Sequence, residues 1–139
     1  MLTLTRRIEA LEPSRQVAGT LVLTIEQRER SRFRTELASG ETVGVIIERG
    51  GPTLRPGDGL ADDRGTVYRV EAAPEAVSAL YADDPRLLVR AAYHLGNRHT
   101  PLEISDRALR YRHDHVLDDM VRGLGLDPVH ETAPFQPES

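Results

Sequence analysis

Hydrophobic and polar positions follow two different periods along this chain of 139 residues, and the change falls near Ala73. Before that point, short segments alternate apolar with polar residues or are rich in β-branched residues, which is typical of strands. The predicted strands are Leu21–Glu26, Phe33–Leu37, Thr42–Glu48 and Thr66–Glu71. Turn-forming residues separate them, as at Ser39–Gly40 and Gly50–Pro52. Residues 1–73 are therefore expected to form an all-β domain.

A helical period appears after Ala73. A predicted strand, Ala76–Ala82, is followed by Asp84 and Pro85, which are typical of a helix start. Apolar residues then recur at the three-and-four spacing of a buried helix face, at Leu88, Ala91, Ala92 and Leu95. Gly96 and Asn97 tolerate a left-handed backbone and Pro101 prevents continuation, so the helix is expected to end there.

The remaining elements are two strands, a helix and a final strand. The predicted strands are Leu102–Ile104, Leu109–His113 and Val129–Ala133. Asp114 is expected to cap the helix, because its carboxylate can accept hydrogen bonds from the first turn. The apolar side of this helix is predicted to be Val116, Leu117, Met120, Val121 and Leu124, closed by Gly123 or Gly125.

The order strand, helix, strand, strand, helix, strand is the split βαβ arrangement of ferredoxin-like domains. The predicted fold class is therefore α+β. An N-terminal all-β domain over residues 1–73 precedes a ferredoxin-like βαββαβ domain over residues 74–139. The last residues, Pro134–Ser139, are expected to form a loose tail.

Composition narrows the classes of function. The chain has no cysteine, so a bound metal must use nitrogen and oxygen ligands. Residues 1–73 hold 11 arginines and 11 acids, whereas residues 74–139 hold 7 arginines and 11 acids, so the net charge of −4 falls in the second half. That half suits a cation better than nucleic acid, whose binding requires concentrated positive charge. Without an apolar run near the roughly 20 residues that span a bilayer, and without a signal-peptide core, we expect a cytoplasmic protein with no membrane partner.

Histidine carries the candidate chemistry, and four of the five histidines lie in one short region between Tyr93 and His115. Imidazole is a ligand for nickel, zinc and copper. His99 lies just beyond the first predicted helix, whose C-terminal end carries partial negative charge and favours a cation. If His99 lies on a two-fold axis, a homodimer supplies two imidazoles from one sequence position. The alternative for this residue alone is a structural histidine beside a helix end.

The other histidines leave alternatives open. If His113 and His115 are both in strand conformation, their side chains leave the same face and can chelate a metal. If His115 instead lies in the first helical turn, the two side chains diverge. His94 lies in mid-helix, where ordinary packing or surface placement is the better interpretation. His130 lies near the end of the last strand, either as an incidental surface residue or as a residue that closes a site from outside.

Two blocks of this sequence are distinctive: one is Ala92–His99 with Pro101–Leu102 behind it, and the other is Leu109–Met120. Asp84–Pro85 precede the two blocks and Pro134–Phe135 follow them. Together these residues resemble the urease accessory nickel metallochaperone family. The resemblance is strong over about residues 83–135 and looser over the β-rich first half. In that family, a β domain akin to the peptide-binding domain of a co-chaperone precedes a ferredoxin-like metal-binding domain, and the second domain forms the homodimer.

The resemblance implies a function without catalysis. The chain would bind Ni(2+) and deliver it for assembly of the urease active site by ligand exchange, with Zn(2+) or Cu(2+) also able to occupy the same or peripheral sites. Its partners would be a second copy of itself, the urease accessory GTPase and the apo-urease activation complex, with no nucleic acid and no membrane.

The same resemblance assigns the candidate site residues. His99 would be the metal ligand that the two protomers share. His113 and His115 match a peripheral metal-binding pair, and His130 matches a ligand on the C-terminal segment. The residues that would position the loop at the interface are Gly96, Asn97 and Arg98. Because the chain lacks a histidine-rich tail, we expect one interfacial ion per dimer and a few weaker sites.

Two other classes of function remain as alternatives. A metal-dependent hydrolase would use these histidines around an open water position, but no second acid or nucleophile stands at a recognisable spacing. An RNA-binding protein would use the arginine-bearing strands or the ferredoxin-like sheet. Aromatic residues for base stacking are scarce, since the chain has 2 Phe, 4 Tyr and no Trp.

Overall fold

Two separate units make up the chain in a computed structural model, which describes residues 1–138. The first unit is Met1–Ala73 and the second begins at Pro74. The first is rich in sheet, and the second mixes strands with helices. The predicted α+β class with two domains is therefore confirmed.

The first unit contains two sheets. Its strands are β1 (Leu2–Leu4), β2 (Arg6–Ile8), β3 (Gly19–Leu23), β4 (Arg32–Glu36), β5 (Thr42–Ile46), β6 (Gly59–Ala61) and β7 (Val67–Ala72). One sheet has the order β1-β5-β4 and the other β2-β6-β7-β3. Residues from both sheets share one apolar core, in which Leu4, Val45, Leu21 and Val70 are fully buried.

One element of the first unit is helical, contrary to the all-β expectation. The predicted strand Leu21–Glu26 ends at Leu23 in the structure, and helix α1 (Ile25–Glu29) follows it. Thr24 caps it, because its hydroxyl accepts from the backbone of Gln27 while the Gln27 side chain accepts from the backbone of Thr24. This capping box satisfies two donors that the helix start leaves free. The Thr-x-x-Gln spacing was the signal that strand alternation concealed.

The second unit has the ferredoxin-like order. Its elements are β8 (Pro74–Tyr81), α2 (Pro85–Asn97), β9 (Glu103–Ile104), β10 (Ala108–Arg112), α3 (His115–Gly123) and β11 (Val129–Pro134). The strands form one antiparallel sheet in the order β11-β8-β10-β9. Both helices pack on this sheet, since Leu88 and Leu95 of α2 and Val121 of α3 share a core with Leu80 and Leu109 of the strands.

The two helices of this unit end in the same way, with one difference. At the end of α3, Gly125 has a φ of 95°, and the N–H groups of Gly125 and Leu126 donate to Arg122 and Val121. At the end of α2, His99 has a φ of 57°. The His99 N–H donates to the Gly96 carbonyl, and the Thr100 N–H donates to the Leu95 carbonyl. Both are Schellman motifs, which normally place glycine at the left-handed position. The left-handed exit predicted at Gly96 or Asn97 was therefore wrong, because both residues lie within α2.

The predicted loose tail was also wrong for the described residues. Phe135 is fully buried, the Gln136 N–H donates to the Glu103 carboxylate at 2.8 Å, and the Glu138 N–H donates to the Leu102 carbonyl at 2.7 Å. These contacts attach the C-terminal segment to the strand region around β9. The last residue of the predicted tail, Ser139, lies outside the described residues.

Asp114 caps α3 as predicted, and its carboxylate accepts from the N–H groups of Val116 at 2.9 Å and Leu117 at 3.1 Å. We expect Asp114→Ala to lower the free energy of unfolding by about 1 kcal/mol, because two donors lose their partner. Asp114→Ser is the matched control, since serine also accepts these hydrogen bonds. Urea denaturation followed by circular dichroism measures both, and an equal loss in the two variants would contradict the capping role.

The apolar side of α3 differs from the predicted stripe at its start. Val116 is 61% exposed, whereas Asp118 is 2% exposed and lies on the side that faces the sheet.

None of the helices described in residues 1–138 has the length and the apolar character that crossing a membrane requires.

Candidate metal centre

Three polar side chains lie in a row across the sheet of the second unit. Ser78, on the central strand β8, is paired with Tyr111 of β10 on one side and with His130 of β11 on the other. Directly paired residues of antiparallel strands point to the same face of a sheet. The row therefore projects onto the face that α2 and α3 cover.

Asp118 of α3 meets this row from above. Its Oδ1 accepts hydrogen bonds from the hydroxyls of Ser78 and Tyr111, each at 2.7 Å. Its Oδ2 lies 2.9 Å from His130 Nε2. Although Asp118 is almost completely buried, its carboxylate has partners for both oxygens, which is the condition for burying a charge without a large penalty.

The pKa values in this network follow from these contacts. Burial raises the pKa of the Asp118 carboxyl, but the hydrogen bonds from Tyr111, Ser78 and His130, together with nearby His113, lower it below its ordinary value of 3.8. Burial and the hydrogen bond to Asp118 raise the pKa of the Tyr111 hydroxyl, so it remains a donor. Because the carboxyl pKa is depressed in the folded state, this group stabilises the fold above about pH 3.8, and that contribution is lost as the pH falls through the folded-state value.

His113 completes the cluster. It follows the last residue of β10, and its N–H donates to the Ala76 carbonyl at 3.0 Å. Its Nδ1 lies 3.3 Å from Asp118 Oδ2 and 3.3 Å from Ser78 Oγ. The rings of His113 and His130 are in edge contact, with centroids 4.2 Å apart. Potential ligand atoms of His113, Asp118 and His130 all lie within 4.8 Å of one another.

His115 lies apart from this cluster. It is the first residue of α3, so the second of the two alternatives for the His113 and His115 pair holds and their side chains diverge. The His115 side chain is 85% exposed, and its Nε2 lies 3.7 Å from Asp119 Oδ2, one helical turn further on. The structure thus brings His113 together with His130 rather than with His115.

His99 lies at the other candidate site, at the end of α2. It is exposed, and the loop residues named with it surround the helix end: Gly96 and Asn97 are in the last turn and Arg98 is the C-cap. His94 is half-buried within α2, with its ring in edge contact with Tyr93. A shallow cavity of about 490 Å³ is lined by Thr100 and Pro101, which follow His99, and by His113.

Comparison with known proteins covers both halves of the chain. The sequence of residues 4–73 matches the family model of the UreE urease accessory protein N-terminal domain. The sequence of residues 75–139 matches the family model of the C-terminal domain. The chain belongs to the UreE urease accessory protein family.

Individual members of the UreE family are similar in sequence to this chain over nearly its full length. A urease accessory protein UreE of Pseudomonas putida is 54% identical over 140 residues, covering 100% of this chain and 84% of that protein. The relative from Alkalilimnicola ehrlichii is 54% identical over 138 residues, covering 99% and 82% respectively. The relative from an Enterobacter species is 47% identical over 140 residues, covering 100% and 90%.

Membership of the UreE family establishes a urease accessory role and excludes the hydrolase alternative, because these proteins assist an enzyme and are not enzymes themselves. The resemblance stated from the two histidine-bearing blocks is confirmed.

Sequence reasoning missed three residues of the cluster: Ser78, Tyr111 and Asp118. One signal was available for Asp118, since it directly follows Leu117 and precedes Val121 by three positions, which places it on the buried side of a helix. A buried acid requires partners. The partners themselves depend on strand register, which the sequence does not specify.

Proposed function

We propose that this UreE-family chain binds Ni(2+) and delivers it for assembly of the urease active site. The tightest site is formed by His99 and its copy in a homodimer. The observation that carries this proposal is the placement of His99: an exposed imidazole at the end of α2, in a left-handed conformation that glycine adopts at the end of α3. A left-handed backbone is unfavourable for a residue with a Cβ. The described residues other than glycine with a positive φ are Ala10 and His99. At His99, a functional demand on the exposed imidazole would account for a residue that the backbone disfavours.

The surface of α2 supports a dimer. Val89 and Tyr93 are 67% and 65% exposed, and their spacing of four residues places them on one helix face. This apolar stripe ends four residues before Asn97, the last residue of the helix that precedes His99. A second copy of the same helix would bury the stripe on both protomers, as an isologous interface does. It would also bring the two His99 side chains toward each other.

Delivery by this site is ligand exchange. Two imidazoles leave most coordination positions of the ion to water, so an incoming ligand binds before an imidazole leaves. The receiving partners are the urease accessory GTPase and the apo-urease activation complex. Imidazole also binds zinc and copper, and copper binds more tightly than nickel to such a site. Metal supply or the partner therefore determines which ion is delivered. The other candidate histidines, His113, His115 and His130, act at weaker sites.

An activation assay tests the proposed delivery. Nickel-loaded protein is added to apo-urease with its accessory GTPase, at a free nickel concentration that does not activate urease unaided. We expect urease activity to rise several-fold above that seen with the same total nickel and an unrelated carrier such as albumin. Equal activation by the two nickel sources would contradict delivery by this chain.

A further inference from the structure

We propose that His113, Asp118 and His130 form a second metal site, contained within one protomer, that binds one divalent ion through two imidazoles and a carboxylate. This ligand set differs from the pair of His113 and His115 that the sequence suggested. The identity of the ion as nickel rests on the proposed function, whereas the ligand set rests on the geometry of the second unit alone.

The distances between ligand atoms fit a metal ion. With metal–ligand bonds of about 2.0–2.1 Å, adjacent ligand atoms lie roughly 2.9 Å apart at 90° and roughly 3.4 Å apart at the tetrahedral angle. Asp118 Oδ2 lies 2.9 Å from His130 Nε2 and 3.3 Å from His113 Nδ1. The ion would take the place of the hydrogen bond between His130 Nε2 and the carboxylate.

Two hydroxyl groups hold the carboxylate in position. Ser78 and Tyr111 both donate to Asp118 Oδ1, so that oxygen is occupied and Oδ2 is directed to the two imidazoles. Ligating carboxylates in proteins are generally oriented by such hydrogen bonds. Ser78 and Tyr111 therefore act as positioning residues, through Asp118 rather than on the ion.

The site is open on one side. The side chain of Asp118 is 2% exposed, while those of His113 and His130 are 42% and 56% exposed. The carboxylate thus forms the floor and the imidazoles form the rim, so water or another ligand can complete the coordination sphere. Such a site exchanges its ion readily. His113 also lines the cavity that includes Thr100, the residue after His99, so the second site lies beside the loop of the first.

The test removes the proposed interfacial site first. In full-length His99→Ala protein, the strongest remaining event in a nickel titration by calorimetry is expected to have a stoichiometry of one ion per protomer. Adding His130→Gln should weaken that event about 100-fold, because one of three ligands is lost. Adding His115→Gln is the matched control, since this exposed histidine lies outside the cluster, and it should change the affinity less than about two-fold.

Copper(II) paramagnetic resonance identifies the ligands themselves, in the same His99→Ala background. The spectrum should show coupling to two nitrogens, falling to one in His130→Gln and staying at two in Asp118→Asn, whose copper affinity should nevertheless fall. Tyr111→Phe should keep both nitrogens and weaken binding about 10–100-fold, as expected for a positioning residue. Because His130 is exposed, its variant is expected to fold even if Asp118→Asn does not.

Two results would overturn the proposal. One is equal nickel binding by the His99→Ala protein with and without His130→Gln, and the other is loss of the event in His115→Gln instead. Neither result bears on delivery to urease, which the activation assay tests separately with the unmodified chain.

Discussion

Replacing His99 with glycine is expected to abolish the tightest of the proposed nickel-binding events and to leave the proposed dimer intact. The left-handed backbone at this position suits glycine, so the variant keeps the end of α2 while removing the imidazole. His99→Ala removes the same imidazole but retains a Cβ at a φ of 57°. If nickel binding depends on the side chain and not on the helix end, both variants should lose the event equally.

On the same samples, calorimetry measures the nickel affinity and light scattering measures whether the dimer is retained. We expect the first nickel event to weaken by at least ~100-fold, or about 2.8 kcal/mol, in both variants, with the mass of a dimer retained. His94→Gln is the matched control, since His94 lies on the same helix but is half-buried within it. An unchanged first event in both His99 variants would contradict the interfacial assignment.

Helix positions in the second unit were predictable from sequence because their signals are local. Asp84 with Pro85 and Asp114 each mark a helix start, and both cap their helices in the structure. The order of strands and helices then identified the ferredoxin-like topology. In the first unit the short helix α1 was missed, because five residues give too little periodicity to distinguish helix from strand.

The candidate site was predictable only in part, since its geometry depends on contacts distant in sequence. Histidine type and number pointed to metal binding, but the pairing of His113 with His130 arises because β10 and β11 both flank β8. The pairing of His130 with Ser78 is a matter of register, and a shift of one residue would turn the imidazole to the other face. The two-residue spacing of His113 and His115 left a chelating pair open as one alternative, but α3 begins at His115 and the two side chains diverge.

The end of the chain was misjudged for a related reason. The sequence predicted a loose tail over Pro134–Ser139, whereas the burial of Phe135 depends on a core that the local sequence does not reveal. Strand β11 carries His130 and ends one residue before Phe135. The buried ring therefore anchors the strand that would supply one ligand of the proposed second metal site.

Phe135→Ala is accordingly expected to lower the free energy of unfolding of the second unit by about 3–5 kcal/mol, since the fully buried ring is replaced by a cavity. Urea denaturation followed by circular dichroism measures this loss. Val116→Ala is the control, because that side chain is 61% exposed in the same unit and its removal should change stability by no more than about 0.5 kcal/mol. Equal losses in the two variants would contradict the packing of the C-terminal segment. Under conditions where Phe135→Ala remains folded, the looser strand should also weaken nickel binding at the site that includes His130, while the His99 event keeps its affinity.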